Sequence, residues 1–216
     1  ADIIVGTHVL IQNDIKFKNL AFIVIDEQHK FGVHQRLSFT YKGTQPNILV
    51  MTATPIPRTL TLATYGDINE SKITQKPKGR IDILTKSIPV NKINNLLSAL
   101  KKKIENNEKI FWICPLIEES EELDLQAATI RYENLLKIYK NKVLLIHGRM
   151  KTDEKDGIMN NFKNEDFNIL VATTVIEVGI DIPKASTIII EHAERFGLSQ
   201  LHQLRGRVGR NNMQSN

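Results

Sequence analysis

Short apolar runs alternate along this chain with amphipathic segments, a pattern that is typical of repeated βα units. The apolar runs predict eight strands, at residues 3–5, 20–25, 48–51, 83–85, 109–113, 143–146, 168–172 and 187–190. Apolar residues at helical spacing predict helices within residues 91–107, 125–140 and 152–164. Thr152 is the predicted N-cap of the third helix. The sequence therefore predicts an α/β fold with parallel sheets.

One apolar run ends in a cluster of polar side chains. Residues 21–25 are continuously apolar, which predicts a strand buried on both faces of a parallel sheet. At its carboxyl end, where open α/β sheets bind ligands, the chain continues with Asp26, Glu27, Gln28 and His29. Carboxylates there can hold Mg²⁺ through water and activate a water that attacks a phosphoryl group. Two solvated acids at a strand end are the simpler alternative for this tetrapeptide alone.

Composition limits the class of protein without identifying it. The chain has 216 residues, of which 41% are hydrophobic and 25% charged, as expected for a globular protein of one or two domains. A net charge of +5 and a pI near 9.2 are equally compatible with a nucleic-acid partner and with none. Cys114 is the only cysteine, which excludes an internal disulfide and indicates a reducing compartment, the cytoplasm. No apolar run is long enough for a membrane span, and no signal peptide pattern is present.

A linker is predicted at residues 75–80, QKPKGR, where proline and glycine accompany three cations. It divides the chain into residues 1–76 and 77–216. The second block has a full alternation of strands and helices, whereas the first has only three strands. We therefore expect an incomplete first domain, a nearly complete second domain, and a longer parent chain, since the sequence opens at Ala1 in a predicted strand.

Two further strings place small hydroxyl residues after predicted strands. MTATPIPRTL carries Thr52 and Thr54 in a turn that two prolines follow. VATTVIEVGIDIP repeats this arrangement in the second block, with Thr173, Thr174, Gly179 and Asp181. Taken singly, each string is most simply an ordinary strand-to-helix turn.

The string QLHQLRGRVGR is rich in arginine. If it is helical, Gln203, Arg207 and Arg210 fall at positions i, i+4 and i+7 on one face. Arginine is a favoured donor to phosphate. A solvated basic helix face is the simpler alternative for this string taken alone.

In this order, the strings DEQH, TAT, TTVIEVGID and GRVGR resemble the motifs of the superfamily 2 helicases. Together with GTHVL, ICPLIEESE, HGRMK and LSQLHQLRGRVGR, they are similar over nearly the whole chain to the RecG family of bacterial ATP-dependent DNA helicases. Transcription-repair coupling factors share PIPRTL and LHQLRGRVGR, but they typically have Glu in place of Gln28 and IIETG in place of VIEVG. The resemblance implies two RecA-like lobes, with residues 1–76 as part of the first and 77–216 as most of the second.

The resemblance also implies ATP and Mg²⁺ as cofactors. Asp26 would bind Mg²⁺ through water, Glu27 would activate the hydrolytic water, and Gln28 with His29 would link the nucleotide site to the second lobe. The remaining nucleotide-site residues would be Gly179 and Asp181 near the ribose, and Gln203, Arg207 and Arg210 from across the cleft.

The implied partner is branched double-stranded DNA, and no membrane is involved. Thr52 and Thr54 would couple hydrolysis to DNA movement. The residues near DNA would be Gly6, Thr7, His8, Thr52, Thr54, His147, Gly148, Arg149, Thr173 and Thr174.

The sequence departs from this family in one respect that concerns catalysis. A phosphate-binding loop ending in Gly-Lys-Ser or Gly-Lys-Thr does not occur between Ala1 and Asn216. The adenine-contacting segment and the wedge domain that splits branched DNA are not found either. We expect the wedge and the phosphate loop upstream in a full-length chain. Two function classes stay open, namely part of a DNA helicase and a non-catalytic remnant that binds DNA weakly.

Overall fold

The computed structural model describes residues 1–12, 14–27, 46–53, 69–75, 80–115, 121–173, 182–209 and 215–216. Within these residues the chain divides into two compact units, Ala1–Ile73 (unit 1) and Thr74–Asn216 (unit 2). The described strands of both units pair in parallel, so the predicted α/β fold with parallel sheets is confirmed. The assignment of residues 1–76 and 77–216 to two helicase lobes stays a prediction.

Unit 1 contains a pair of parallel strands, β1 (Phe22–Ile25) and β2 (Asn47–Val50). Both coincide with predicted apolar runs. The hydrogen-bond ladder continues one residue past β2, because the Met51 N–H donates to the Ile25 carbonyl at 2.8 Å. The carboxyl ends of the two strands therefore lie side by side.

The prediction that β1 is buried on both faces is wrong for the described part of unit 1. Ile23 and Ile25 are buried, whereas Phe22 and Val24 expose 57% and 51% of their surface. Successive side chains of a strand point to opposite faces, so one face of β1 is covered and the other is not. An apolar run indicates a strand but does not show what covers each of its faces.

Unit 2 is built on a four-stranded parallel sheet. Its strands are β3 (Lys109–Ile113), β4 (Val143–Ile146), β5 (Ile169–Ala172) and β6 (Ala185–Ile190). They lie in the order β4-β5-β3-β6. All residues of β3 and β5 are buried, as expected for central strands of a parallel sheet that is covered on both faces. Each strand overlaps a predicted apolar run.

Among the described residues, four α-helices pack against this sheet. They are α1 (Ile93–Glu105), α2 (Glu121–Tyr139), α3 (Thr152–Asn164) and α4 (Leu198–Arg205). Helices α1 and α2 pack with Trp112 on one face, and α3 and α4 pack with Phe111 on the other. The helix residues in these two clusters include Leu100 and Leu135 on the first face, and Phe162 and Leu204 on the second. Neighbouring residues of β3 thus belong to opposite layers of an α/β/α sandwich.

Two of the predicted strands are wrong. Residues 3–5 form no strand and are exposed, because no described strand lies beside them to satisfy their backbone groups. Residues 83–85 form no strand either, although the Leu84 N–H donates to the Ser215 carbonyl at 2.9 Å. Apolar composition alone did not reveal that these two segments lack a full ladder.

The last two residues of the chain lie along β6. The Asn216 N–H donates to the Ser186 carbonyl at 2.8 Å, and the Ile188 N–H donates to the Asn216 carbonyl at 2.9 Å. This alternation is the parallel pairing pattern, so Asn216 extends the sheet beyond β6.

The N-cap of α3 is Lys151, not Thr152 as predicted. Thr152 is the first helical residue. The Lys151 N–H donates to the Glu154 side chain at 3.0 Å, so the acid three residues into the helix satisfies the cap backbone. The threonine hydroxyl was therefore a misleading signal at this helix start.

Lys109 is a buried cation in the sheet, with 2% of its surface exposed. Its Nζ donates to the carbonyls of Glu165 and Phe167 at 2.7 and 2.6 Å, and lies 5.4 Å from the centre of the Phe162 ring. Burial, followed by the nearby Lys184 charge, lowers the pKa of this ammonium group. The carbonyl of Glu165 belongs to the carboxyl-terminal end of α3, where the helix dipole favours a cation.

We predict that Lys109→Met lowers the free energy of unfolding of unit 2 by about 2–4 kcal/mol. A buried acceptor left without a donor costs about 1–3 kcal/mol, and this change removes the donor from two carbonyls. Urea unfolding of the whole chain, followed by Trp112 fluorescence, measures the effect. The matched control is Lys184→Met, since Lys184 is an exposed lysine near the same site, and it should change stability by less than about 0.5 kcal/mol. Equal effects of the two substitutions would contradict the assignment.

Candidate functional site

The acidic pair of unit 1 lies where the sequence placed it, at the carboxyl end of β1. Asp26 follows the last β1 residue directly, and Thr52 follows β2 at the same edge of the sheet. Asp26 is exposed and Glu27 is half-buried. The two strand ends thus bring a carboxylate pair and a hydroxyl to one edge, which is the location at which parallel sheets bind ligands.

Glu27 has an unusual backbone conformation. Its φ is +49°, in the left-handed region that non-glycine residues rarely adopt. The Glu27 N–H donates to Asp26 Oδ1 at 2.9 Å, so the first carboxylate holds the turn that presents the second. Backbone conformations of this kind cost about 1–3 kcal/mol and are concentrated at functional sites. Three other non-glycine residues of the described part share this φ, so what distinguishes Glu27 is its position after β1 and its bond to Asp26.

The other predicted DNA-contacting residues of unit 1 lie near its amino terminus. Gly6 and Thr7 are exposed and precede a short 3₁₀ turn, His8–Ile11, which the Leu10 N–H closes on the Thr7 carbonyl at 3.1 Å. A Cβ atom at Gly6 would lie 3.0 Å from the Leu10 side chain, so this close approach favours glycine.

The predicted phosphate-contacting residues of unit 2 are neighbours. His147, Gly148 and Arg149 follow β4, and Thr173 follows β5, the adjacent strand. The Thr173 N–H donates to the Ile146 carbonyl at 3.4 Å. The fold therefore brings these four residues from two separate motifs to the carboxyl edge of one sheet.

The surroundings of His147 are positively charged. Lys155, on the first turn of α3, donates through Nζ to the Gly148 carbonyl at 2.8 Å and so holds the loop. Partial burial lowers the pKa of His147, the cations of Lys155 and Arg149 lower it further, and Glu154 opposes them. The loop thus brings the cations of Lys155 and Arg149 close to His147, an arrangement suited to accept a phosphate.

The same edge of the sheet carries a polar cluster that the sequence did not indicate. Trp112 donates through its indole N–H to Glu191 at 2.5 Å, and Arg131 of α2 pairs with the same carboxylate. The Arg131 guanidinium also lies 5.3 Å from the centre of the Trp112 ring. Burial raises the pKa of Cys114 to about 12, and the Glu191 charge adds to this effect. These contacts join α2, β3 and the residue after β6.

The arginine-rich string is only partly helical. Gln203 lies in α4, but the helix ends at Arg205, so the helix on which the i, i+4 relation between Gln203 and Arg207 depends does not reach Arg207. Beyond the helix, the Arg207 N–H donates to the Leu204 carbonyl at 3.0 Å in a tighter turn. Gly206 ends the helix at this point, because glycine is a poor helix former. Arg205 is exposed and Arg207 is half-buried.

Several predicted site residues lie outside the described residues. They are Gln28, His29, Thr54, Thr174, Gly179, Asp181 and Arg210. Among the described residues, no group of three or more His, Cys, Asp or Glu side chains is arranged to hold a metal ion. A Mg²⁺ bound mainly by nucleotide phosphates needs only one or two carboxylates, so exposed Asp26 fits that kind of site. No helix in the described part of the chain has the length and apolar character for crossing a membrane.

Comparison with known proteins agrees with this arrangement. A model of the helicase conserved C-terminal domain matches residues 91–212, and a model of the DEAD/DEAH box helicases matches residues 1–63. The first match covers more than half of the chain. The chain therefore belongs to the helicases that carry this conserved C-terminal domain.

Within that class, the chain is similar to RecG, which confirms the resemblance drawn from its motifs. It is 52% identical over 217 residues to the ATP-dependent DNA helicase RecG of Streptococcus pneumoniae serotype 4, covering 100% of this chain and 32% of the relative. It is 50% identical over 213 residues to RecG of Escherichia coli K12, covering 96% of this chain and 31% of the relative. The chain thus spans about a third of the length of the curated relatives it matches.

Solved structures give the same result. A structure of RecG bound to a three-way DNA junction matches with a TM-score of 0.69 and 44% identity, covering 95% of this chain and 26% of that one. Dbp5 of S. cerevisiae bound to RNA and ADP BeF3 matches with a TM-score of 0.64 and 16% identity, over 96% of this chain and 55% of that one. The second likeness shows the fold alone.

We predict that the stability of unit 2 falls as the pH is lowered through the range below about 6.5, in part because of His147. Since its pKa is lowered in the folded protein, the unfolded chain binds the proton first, and stability rises with pH in this window. His147→Gln should flatten the dependence. Urea unfolding at pH 7 and at pH 5.5 measures the difference between variant and parent.

The matched control for this measurement is His202→Gln, because His202 is an exposed histidine on α4. It should keep the pH dependence of the parent chain. If His147→Gln retained the full loss of stability between the two pH values, the environment assigned to His147 would be wrong.

Proposed function

We propose that this chain is part of an ATP-dependent DNA helicase that remodels branched DNA, such as stalled forks and Holliday junctions, in recombination and repair. The observation that carries the proposal is the position of two motif sets at the carboxyl edges of parallel strands. One set is the acidic pair Asp26 and Glu27 after β1, and the other is His147–Arg149 with Thr173 after β4 and β5. Its similarity to RecG supports this activity, and we place an enzyme that acts on bacterial DNA in the cytoplasm.

The two acids would act in ATP hydrolysis. In this proposal Asp26 binds Mg²⁺ through water, and Glu27 orients and deprotonates the water that attacks the γ-phosphate. The Glu27 N–H bond to Asp26 supports this division of roles, because it uses one oxygen of Asp26 to fix the position of Glu27. Bound Mg·ATP would supply the phosphoryl group and the charge that neutralises it. Gln28 and His29 would extend this motif of unit 1, and Gly179 and Asp181 are the nucleotide-contacting residues proposed for unit 2.

The proposed DNA contacts come from both units. The cationic loop of His147, Gly148 and Arg149 would contact backbone phosphates, with the buried Thr173, whose N–H donates to the Ile146 carbonyl, beside it at the same edge. Such contacts carry no sequence information, which suits an enzyme that recognises the shape of a junction. The other proposed DNA-contacting residues are Gly6, Thr7, His8, Thr52, Thr54 and Thr174.

The absence of a Gly-Lys-Ser or Gly-Lys-Thr string from residues 1–216 favours a second candidate for the isolated chain, a non-catalytic DNA-binding part. We predict that the 216-residue chain alone shows no appreciable ATP hydrolysis, with or without branched DNA. Without the amides and lysine of the phosphate loop, the β- and γ-phosphates lose most of their ligands. A phosphate-release assay tests this directly, and a DNA-stimulated turnover that Glu27→Gln abolishes would contradict it.

The catalytic proposal needs a protein that contains a phosphate loop. A suitable one is a chimera in which these 216 residues replace the matching segment of the S. pneumoniae relative. We predict that Arg207→Ala or Arg210→Ala lowers DNA-stimulated ATP turnover roughly 10³-fold, the scale of an arginine that stabilises the transferring phosphoryl group. Lysine should not restore turnover, because it lacks the planar guanidinium fork. DNA binding should change less.

The matched control for these variants is Arg205→Ala, because Arg205 is the exposed arginine of the same string. It should retain most of the turnover. Near-normal hydrolysis by the Arg207 and Arg210 variants, together with loss of hydrolysis in the Arg205 variant, would reverse the proposed roles.

A further inference from the structure

Gly209, two residues after Arg207, is held in place by a segment more than 120 residues earlier in the chain. Arg80 donates through Nε to the Gly209 carbonyl at 2.9 Å, across 129 positions of sequence. Both residues belong to unit 2. Arg80 lies in the string QKPKGR, which the sequence suggested to be only a linker.

Gly209 also has little space around it. It is buried and has a φ of +73°, in the left-handed region where glycine is favoured. A Cβ atom there would lie 2.8 Å from Ile83 Cγ1 and 3.7 Å from Ser215 Cβ. Ile83 itself packs against the core cluster that contains the fully buried Val208. The backbone at Gly209 is therefore confined by Ile83 and bonded by Arg80.

The bonded atom has a direct relation to the proposed catalytic residues. The Gly209 carbonyl belongs to the planar peptide unit that joins Gly209 to Arg210. A donor on that carbonyl limits rotation of the unit, and the left-handed φ sets the direction in which the chain leaves Val208. Arg207 lies two residues before Gly209, in a turn held by two backbone hydrogen bonds. The Arg207 N–H donates to the Leu204 carbonyl at 3.0 Å, and the Val208 N–H donates to the Arg205 carbonyl at 3.4 Å.

We propose that Arg80 and Ile83 are positioning residues for the arginine segment, defined as residues 206–209, which contains Arg207 and directly precedes Arg210. They act on its backbone through Gly209 and touch neither substrate nor nucleotide. This inference rests on the proposed function, because it assumes that Arg207 and Arg210 assist ATP hydrolysis. It assigns to the predicted linker a second role, which is to hold the segment that follows α4 in one conformation.

Hydrogen exchange measured by mass spectrometry on the whole 216-residue chain tests the structural part. Arg80→Ala should speed exchange in peptides that cover the arginine segment by about tenfold, while exchange in β3 and β5 stays unchanged. The matched control is Arg195→Ala, since Arg195 is an exposed arginine of the same unit, and it should leave the segment unchanged. Unchanged exchange in the Arg80 variant, or faster exchange throughout unit 2, would overturn the proposal.

A double-substitution series tests the contact with Ile83. Gly209→Ala should loosen the segment more than Arg80→Ala, because it adds both a close contact and an unfavourable φ. Adding Ile83→Ala to Gly209→Ala should recover part of the protection, since it removes the close contact and leaves only the backbone strain. If the double variant exchanged as fast as Gly209→Ala alone, Ile83 would not confine Gly209 as proposed.

Steady-state kinetics of the same chimera test the functional part. Arg80→Ala should lower kcat for ATP about tenfold with a change in KM of less than about twofold, because a misplaced arginine weakens the transition state more than nucleotide binding. Arg207→Ala in the same protein distinguishes a failure of the positioning role from a failure of the proposed function. If Arg207→Ala is inactive and Arg80→Ala is normal, the positioning role fails alone, whereas normal turnover by Arg207→Ala contradicts the proposed function itself.

Discussion

The described structure of unit 2 depends on the burial of β3 on both faces. Its five residues, Lys109–Ile113, lie between β5 and β6 and supply both layers of the core in alternation. Because the strands are parallel, this one packing constraint places all their carboxyl ends at the same edge. His147, Thr173 and Glu191 are brought to that edge by backbone geometry, and their own side chains are not needed to bring them there.

The charged groups of unit 2 are divided between the two ends of this sheet. At the amino end, Lys109 and Glu108 make their contacts within the fold. Burial raises the pKa of Glu108, but the hydrogen bonds that Ser186 and Lys103 donate to it outweigh this effect, so its pKa is lowered. At the carboxyl end, the cations around His147 leave an exposed Arg149. The carboxyl end thus holds a stabilising pair, Arg131 with Glu191, as well as the exposed Arg149.

The strands could be predicted from the sequence wherever an apolar run has neighbours on both sides, as in β3 and β5. The same composition at residues 3–5 gave a wrong strand, because hydrophobicity does not report whether a partner backbone is present. The site was predictable where a polar residue directly follows a strand, as Asp26 follows β1. Contacts such as Trp112 with Glu191, across 79 positions, and Arg80 with Gly209 depend on tertiary packing, and no local pattern indicates them.

The state of Cys114 has a practical consequence. The only thiol of the chain is buried, and its pKa near 12 keeps it protonated at neutral pH, whereas thiol reagents attack the thiolate. It therefore becomes reactive only when the sheet around β3 opens. The rate at which Cys114 is labelled would report the opening free energy of the core of unit 2, with no introduced probe and no need for bound nucleotide or DNA.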